Sequence, residues 1–213
     1  MQKVLLVHGY NKNDKDMKPL QKMLNQMGYQ AVCLKVPLTF ADIDKAYLEF
    51  EKQARKYFEI KKENETIHFV GHSTGGLLIR YMLQDERYIP HVGRCVLIAT
   101  PNKGTELADL ALRYGSLIFR WFRTLEALKT TRSFQDTKNL QNIDIGAIAG
   151  KKNRLLLGKF IKGASDGRVR TESVYYEGLR DFIVLNYGHK EIHHQLETAQ
   201  YTAQFLKKGS FLK

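Results

Sequence analysis

The sequence predicts an α/β protein with a mostly parallel six-stranded sheet and helices on both of its faces. Short, continuous apolar runs alternate along the chain with longer segments in which apolar residues recur at helical spacing. Continuous apolar runs are typical of strands buried in a parallel sheet, and the helical segments between them form the connections. Strand–helix–strand units of this kind cover both faces of the sheet.

The first half of the chain contains four of the predicted strands. These strands are residues 4–7, 31–36, 66–70 and 95–99. The first helix is ended by Gly28, and its apolar stripe is Met17, Leu20, Leu24 and Met27. A longer helix follows an N-cap at Asp42, and its stripe is Ile43, Ala46, Tyr47, Phe50, Ala54, Tyr57 and Phe58.

The second half contains the remaining strands and a closing helix. Residues 145–149 and 182–185 are the fifth and sixth predicted strands, and residues 169–176 are predicted as a short extended segment. The apolar stripe of the closing helix is Ile192, Leu196, Ala199, Ala203 and Leu206. Because ligands bind at the carboxyl ends of parallel strands, residues that follow strands are the candidates for a functional site.

Length and composition indicate one folded domain over residues 1–213. Hydrophobic residues make up 43% of the chain, which is typical of a globular protein. No apolar run is long enough to span a bilayer, and the first run is too short for the core of a signal peptide. Cys33 and Cys95 lie on predicted strands about 14 Å apart, too far for a disulfide. These features predict a cytoplasmic protein.

The net charge of +12 narrows the choice of partners. A basic surface keeps a protein in solution, and it also favours an anionic substrate or an anionic membrane surface. No nucleic-acid-binding motif accompanies the charge, which argues against nucleic acid.

Residues 71–75 carry the pattern G-x-S-x-G between the third strand and the next helix. In that context the turn holds its serine in a strained backbone conformation and lifts the hydroxyl off the strand end. A Cβ at Gly71 or Gly75 would collide across the turn. Ser73 is therefore the predicted nucleophile, the alternative being a glycine–serine turn that only joins two elements.

A nucleophilic serine needs a base within hydrogen-bond reach, and the base needs an acid that orients it. His189 follows the last strand directly and is the predicted base, with His193 as the fallback. His68 lies inside a strand and His91 precedes one, so neither is at the carboxyl edge.

The requirement that a catalytic residue follow the carboxyl end of a strand also selects the acid. Asp166 comes after the fifth strand, whereas Asp144 and Asp181 precede strands and Asp109 belongs to a helical pattern. We therefore expect Asp166 to orient the base, the alternative being an Asp-Gly turn without a catalytic part. The backbone N–H groups of Tyr10 and Thr74 meet at the same edge and are the predicted oxyanion hole.

These segments resemble the α/β-hydrolase superfamily. The resemblance is carried by residues 7–10 (VHGY), 71–76 (GHSTGG), 99–105 (ATPNKGT) and 166–169 (DGRV), together with His189. It is closest to the lipase and esterase branch, including small bacterial lipases and acyl hydrolases of the palmitoyl-thioesterase and inositol-deacylase type. It implies Ser73, Asp166 and His189 as a catalytic triad. The chain departs from the family's pattern in beginning at what is usually the third strand, so we expect a minimal version of the fold.

A long connection lies between the fourth and fifth strands. Residues 105–140 combine an amphipathic aromatic stripe with several arginines, which is what a lipid-facing lid over Ser73 requires. The residues predicted to contact substrate there are Leu117, Trp121 and Phe122. The alternative is that this stripe is ordinary core and its arginines are solvated.

The sequence thus predicts a serine hydrolase that needs no metal or other cofactor and cleaves carboxylic esters through an acyl-enzyme on Ser73. Its expected substrate is a small-molecule or lipid ester with an apolar acyl chain. A thioesterase, amidase or acyltransferase would use the same three residues. A non-catalytic module that binds membranes or nucleic acid is the remaining alternative.

Overall fold

The computed structural model describes residues 1–38, 43–63, 65–103, 143–155, 158 and 161–212. The described strands are β1 (Lys3–Val7), β2 (Gln30–Leu34), β3 (Ile67–His72), β4 (Val92–Ile98), β5 (Ile145–Gly150) and β6 (Asp181–Leu185). The described α-helices are α1 (Lys18–Gln26), α2 (Ile43–Ile60), α3 (Thr74–Met82), α4 (Thr171–Val174) and α5 (Leu196–Lys208). Three 3-10 turns occupy Asp14–Met17, Glu86–His91 and Ile192–His194.

The strands form one six-stranded sheet in the order β2-β1-β3-β4-β5-β6. Every neighbouring pair is parallel, which confirms the predicted fold class. Val7 at the end of β1 is in register with Gly71 of β3, and Gly71 with Leu97 of β4. The carboxyl ends of these three strands therefore meet at one edge of the sheet.

Helices cover both faces of the sheet, as the apolar stripes predict. On one face α2 and α3 pack on alternate strand residues, and this core includes Leu5, Phe50, Phe69, Leu78 and Leu97. On the other face α1 and α5 pack on the remaining strand residues, and this core includes Leu6, Leu20, Val70, Phe205 and Phe211. Adjacent β1 residues thus point into opposite cores, as expected for a pleated strand.

The prediction of an extended segment at residues 169–176 is wrong, because residues 171–174 within it form the helical turn α4. The chain is extended on either side of this turn, at Tyr175 and at Arg170, which forms an isolated antiparallel bridge with Ser165. The N–H of Ser173 then donates to the carbonyl of Arg170 and closes a turn. The β-branched and aromatic composition of this segment predicts a strand, but among the described residues its pairing is limited to the one bridge between Arg170 and Ser165.

Two further expectations concern the whole chain. Cys33 lies on β2 and Cys95 on β4, and both are free thiols. Within the described ranges, no helix is both long enough and apolar enough to cross a membrane. The predicted N-cap Asp42, the excluded acid Asp109 and the predicted lid at residues 105–140 lie outside the described residues.

Candidate active site

Ser73 sits on a sharp turn between β3 and α3. Its backbone is in the left-handed region, with φ 53° and ψ −124°, and its N–H donates to the carbonyl of Ile98. Glycines on both sides permit the turn. A Cβ on Gly71 would lie 2.5 Å from the backbone nitrogen of Gly76, and a Cβ on Gly75 would lie 2.4 Å from the carbonyl oxygen of Val7. The strain predicted for the nucleophile is therefore present.

His189 lies between Ser73 and Asp166 and is hydrogen-bonded to both. Its Nδ1 is 2.8 Å from Oδ2 of Asp166, and its Nε2 is 3.1 Å from Oγ of Ser73. A carboxylate only accepts, so Nδ1 carries the proton and Nε2 is left to accept the serine proton. All three side chains are buried, with Ser73 the most exposed at 8%.

The carboxylate of Asp166 is held by two backbone donors as well as by the imidazole. Its Oδ1 accepts the N–H of Arg168 at 2.9 Å and the N–H of Val169 at 2.8 Å. Its backbone carbonyl accepts the N–H of His189 at 2.9 Å. Gly167, at φ 93°, allows the chain to fold back around the carboxylate. The turn therefore fixes both the side chain of Asp166 and the backbone of the histidine.

The loop after β1 packs directly against Ser73. A Cβ on Gly9 would lie 2.9 Å from Cβ of Ser73, so the backbone of Gly9 lies against Ser73. Tyr10 is the next residue along the chain. The ring of His8 holds this loop, because its Nδ1 donates to the carbonyl of Gly9 and its Nε2 accepts the N–H of Val36. The backbone of Lys35 is bonded to the side chain of Gln53 and the N–H of Val36 to His8, so β2 ends at Leu34 and not at the predicted residue 36.

Thr74 is the first residue of α3, where the backbone N–H has no carbonyl partner one turn back in the helix. The two predicted oxyanion donors thus belong to segments on either side of Ser73. Helix N-termini favour negative charge, so this end of α3 suits an oxyanion.

Behind the Ser73–His189 pair, His72, His193 and Asp16 form a layer of polar and stacking contacts that the sequence does not predict. Nε2 of His72 donates to the backbone carbonyl of His189 at 3.0 Å. The ring of His72 stacks on the ring of His193, with centroids 3.8 Å apart and planes 21° apart. His193 in turn donates from Nε2 to Oδ2 of Asp16 at 2.9 Å. The adjacent pair His193 and His194 and the histidine inside the GHSTG motif are the sequence signals for this layer.

The residues excluded by position lie away from Ser73. His68 accepts the N–H of Arg94 near the amino ends of β3 and β4, and the ring of His91 stacks on Phe58. Asp144 pairs with Arg94, and the side chain of Asp181 accepts the N–H of Phe211. His193, the fallback base, bonds to Asp16 and not to Ser73.

One cluster of described residues has ligand atoms close enough together to hold a metal ion. It consists of Asp16, His193 and His194, whose atoms lie within 4.8 Å of one another. The carboxylate already accepts from His193 and from the ammonium of Lys12, at 2.9 Å each, and His194 donates to the carbonyl of Asp16. Asp16 is thus hydrogen-bonded to both imidazoles and to Lys12, while the buried Nδ1 of His193 has no hydrogen-bond partner among the described residues. The predicted substrate contacts Leu117, Trp121 and Phe122 lie outside the described residues.

The sheet order, the strained serine turn and the Ser73–His189–Asp166 chain of hydrogen bonds define the α/β-hydrolase class. A family model for palmitoyl protein thioesterase matches residues 3–152, and the chain belongs to that family. The protein is accordingly a hydrolase that acts on ester bonds. A comparison with curated proteins found no match.

Solved structures of lipases and esterases share the fold. The mature lipase BlEst2 of Bacillus licheniformis is 18% identical, with a TM-score of 0.81 over 98% of this chain and 91% of that one. The metagenomic carboxyl esterase MGS0156 is 15% identical, with a TM-score of 0.76 over 97% of this chain and 76% of that one. A soluble variant of monoglyceride lipase from Saccharomyces cerevisiae is 13% identical, with a TM-score of 0.67 over 98% of this chain and 86% of that one.

Proposed function

We propose that the protein hydrolyses carboxylic esters through a covalent acyl-enzyme on Ser73. The observation that carries the proposal is the continuous hydrogen-bond chain from Oγ of Ser73 through the imidazole of His189 to the carboxylate of Asp166. Both links are at hydrogen-bond distance, and each donor faces an atom that can accept. A serine hydroxyl is a poor nucleophile by itself, and this arrangement supplies the base and the orienting acid that it needs.

Oγ of Ser73 attacks the ester carbonyl, and its proton passes to Nε2 of His189. The carboxylate of Asp166 stabilises the resulting imidazolium and keeps the ring in the tautomer that accepts at Nε2. The imidazolium then protonates the leaving alkoxide, so that alcohol departs and the acyl group remains on Ser73. Water attacks the acyl-enzyme in the second half-reaction, its proton goes to Nε2, and collapse returns that proton to Oγ with release of the acid.

The negative charge on the carbonyl oxygen develops next to the backbone N–H groups of Tyr10 and Thr74. Support for these donors comes from the close approach of Gly9 to Ser73 and from the position of Thr74 at the start of α3. A single donor of this kind typically lowers the barrier by about 3–4 kcal/mol.

A second candidate, thioester hydrolysis, is favoured by the family. The matching family model describes a palmitoyl protein thioesterase, which fits an apolar acyl chain on a thiol as well as on an alcohol. The same three residues would serve, because the acyl-enzyme formed is identical and only the leaving group differs. We give priority to the oxygen ester and to acyl groups of apolar character.

Fluorophosphonate labelling of the wild type beside Ser73→Ala tests the nucleophile. We expect covalent labelling of the wild type alone, and a loss of at least about 10⁴-fold in ester turnover for Ser73→Ala. Circular dichroism and thermal unfolding check that both proteins are folded. A folded wild type that resists the label would overturn the proposal.

Matched oxygen and thiol esters of the same acyl group, in a series of chain lengths, then distinguish the two candidates. Higher kcat/KM for the oxygen esters supports the first candidate. Selective turnover of the thioesters would replace it with the second, without changing the roles proposed for Ser73, His189 and Asp166.

A further inference from the structure

We infer that His72 is a positioning residue for the base of the proposed reaction, acting through the hydrogen bond from its Nε2 to the backbone carbonyl of His189. This inference rests on the proposed function, since it concerns the same site. His72 immediately precedes the nucleophile in the chain. It therefore ties the turn that carries Ser73 to the loop that carries His189, 117 residues away from His72.

The backbone of His189 is fixed on both sides by this bond and one other. Its N–H donates to the carbonyl of Asp166 at 2.9 Å, and its carbonyl accepts from His72 at 3.0 Å. The imidazole itself is bonded only at its two nitrogens, to Asp166 and Ser73. Without His72, one of the two backbone attachments is lost, and the distance from Nε2 to Oγ depends on the Asp166 turn alone.

The orientation of the His72 ring is itself determined by packing. The ring is 3% exposed and lies against two other imidazoles, with centroid distances of 3.8 Å to His193 and 4.9 Å to His189. His193 is anchored by Asp16, which belongs to the 3-10 turn that follows the β1 loop. The layer therefore joins the loops that follow β1, β3 and β6, and each of these loops contributes a group to the proposed reaction.

The charge state of the layer suits this role. Burial lowers the pKa of His72 well below its usual value, and burial lowers the pKa of His193 to about 4. Both rings are therefore neutral near neutral pH. A neutral His72 donates its hydrogen bond without placing a positive charge beside the imidazole of His189, which must itself take up a proton.

Three substitutions separate the hydrogen bond from the shape of the side chain. His72→Gln keeps a donor at the position of Nε2, His72→Asn is polar but too short to place one there, and His72→Leu fills the site without a donor. We expect kcat to fall about 10–100-fold in the Asn and Leu variants with little change in KM, because a small displacement of a reacting group lowers kcat by such factors. The Gln variant should recover most of the wild-type kcat.

Turnover of one ester, the rate of fluorophosphonate labelling and thermal unfolding are measured for all four proteins. If His72 contributed only to stability, the substitutions would lower the melting temperature, but kcat would not be higher in the Gln variant than in the Asn and Leu variants. If the Leu variant does not fold, the Gln and Asn pair decides the question. Equal kcat in the Gln and Asn variants, or a kcat within twofold of the wild type in a folded Asn variant, would overturn the inference. A folded wild type that neither reacts with the probe nor turns over ester would overturn the proposed function and this inference with it.

Discussion

The two ends of β3 each carry a buried histidine, and the two rings are used in opposite ways. At the amino end, Nδ1 of His68 accepts the N–H of Arg94, a residue on the neighbouring strand β4. At the carboxyl end, Nε2 of His72 donates to a carbonyl on the distant loop after β6. The first bond spans the register shift between Ile67 and Phe69 in the pairing of β3 with β4, whereas the second joins segments far apart in the chain.

The backbone shows the same difference between the two edges of the sheet. Among the described residues, the non-glycine residues with positive φ are Asn11, Ser73 and Ala99. Each of them follows the carboxyl end of a strand, after β1, β3 and β4 respectively. Strained conformations persist only where surrounding contacts hold them, and they concentrate at functional sites. Among the described residues, the positive-φ non-glycine backbone thus lies at the carboxyl edge. The amino edge is held instead by strand pairing and by polar contacts of Arg94 with Asp144 and Leu206.

The largest expected difference between the two edges is in kcat, and it is tested by substituting the buried Asp166 at the carboxyl edge and the half-buried Asp144 at the amino edge. Asp166→Asn should lower kcat about 10³–10⁴-fold, because an amide no longer holds the tautomer of His189 that accepts at Nε2. Steady-state kinetics on a short-chain ester measures this loss. Asp144→Asn is the matched control at the amino edge, where the carboxylate pairs with Arg94 at 3.0 Å.

The control variant should keep the kcat of the wild type and lose at most about 1 kcal/mol of unfolding free energy, since its ion pair is partly exposed. A comparable loss of kcat in both variants would show that the amino edge also takes part in catalysis. An Asp166→Asn protein with wild-type kcat would remove Asp166 from the proposed triad.

A second pair of substitutions tests the backbone. Gly71→Ala places a Cβ 2.5 Å from the backbone nitrogen of Gly76, and a backbone cannot move aside easily, so we expect a loss of about 3–4 kcal/mol of unfolding free energy together with lower kcat. Gly93→Ala places a Cβ 2.6 Å from Nδ1 of His68. This clash should also destabilise the fold, by about 1–3 kcal/mol, but the kcat of the folded protein should be unchanged.

Urea unfolding followed by far-UV circular dichroism gives the free energies, and active-site titration with the fluorophosphonate corrects kcat for the folded fraction. If Gly93→Ala lowered the corrected kcat as much as Gly71→Ala, the separation between the two edges would be wrong.

The sequence predicts the parts of this molecule that depend on local patterns. All six strands and the order Ser73, Asp166, His189 follow from apolar periodicity and from which polar residues come after a strand. The strained serine turn follows from its glycines. Each of these predictions needs only the residues around one strand end, although the Ser73–His189 bond itself joins residues 116 positions apart.

The layer of His72, His193 and Asp16 is not readable in the same way. Its bonds join residues more than 100 positions apart, and a histidine inside a motif or before a helix gives no sign of its partner. The helical turn α4 is also not predicted, because the β propensity of residues 169–176 is a weak guide where no strand lies beside the segment to pair with it among the described residues.

The smallest expected effect concerns the pH dependence of stability at the amino edge. Burial, with a further contribution from the charge of Arg94, lowers the pKa of His68 to about 4. The unfolded chain therefore binds a proton between about pH 6.5 and pH 4 that the folded protein does not bind. The stability contributed by a neutral His68 is fully present above about pH 6.5 and is lost as the pH falls through this window, by up to about 3 kcal/mol.

His68→Asn isolates this contribution. The Oδ1 of asparagine can take the place of Nδ1 as acceptor for the N–H of Arg94, but asparagine does not titrate. Between pH 7.5 and pH 4.5, denaturant unfolding should show a loss of stability about 2 kcal/mol smaller in the variant than in the wild type. The buried rings of His8, His72 and His193 titrate in both proteins and cancel in the comparison. Among the described residues, the contacts of His68 lie at the amino edge, so kcat at pH 8 should be the same in both proteins. Identical pH profiles of stability would show that the fold does not keep His68 neutral.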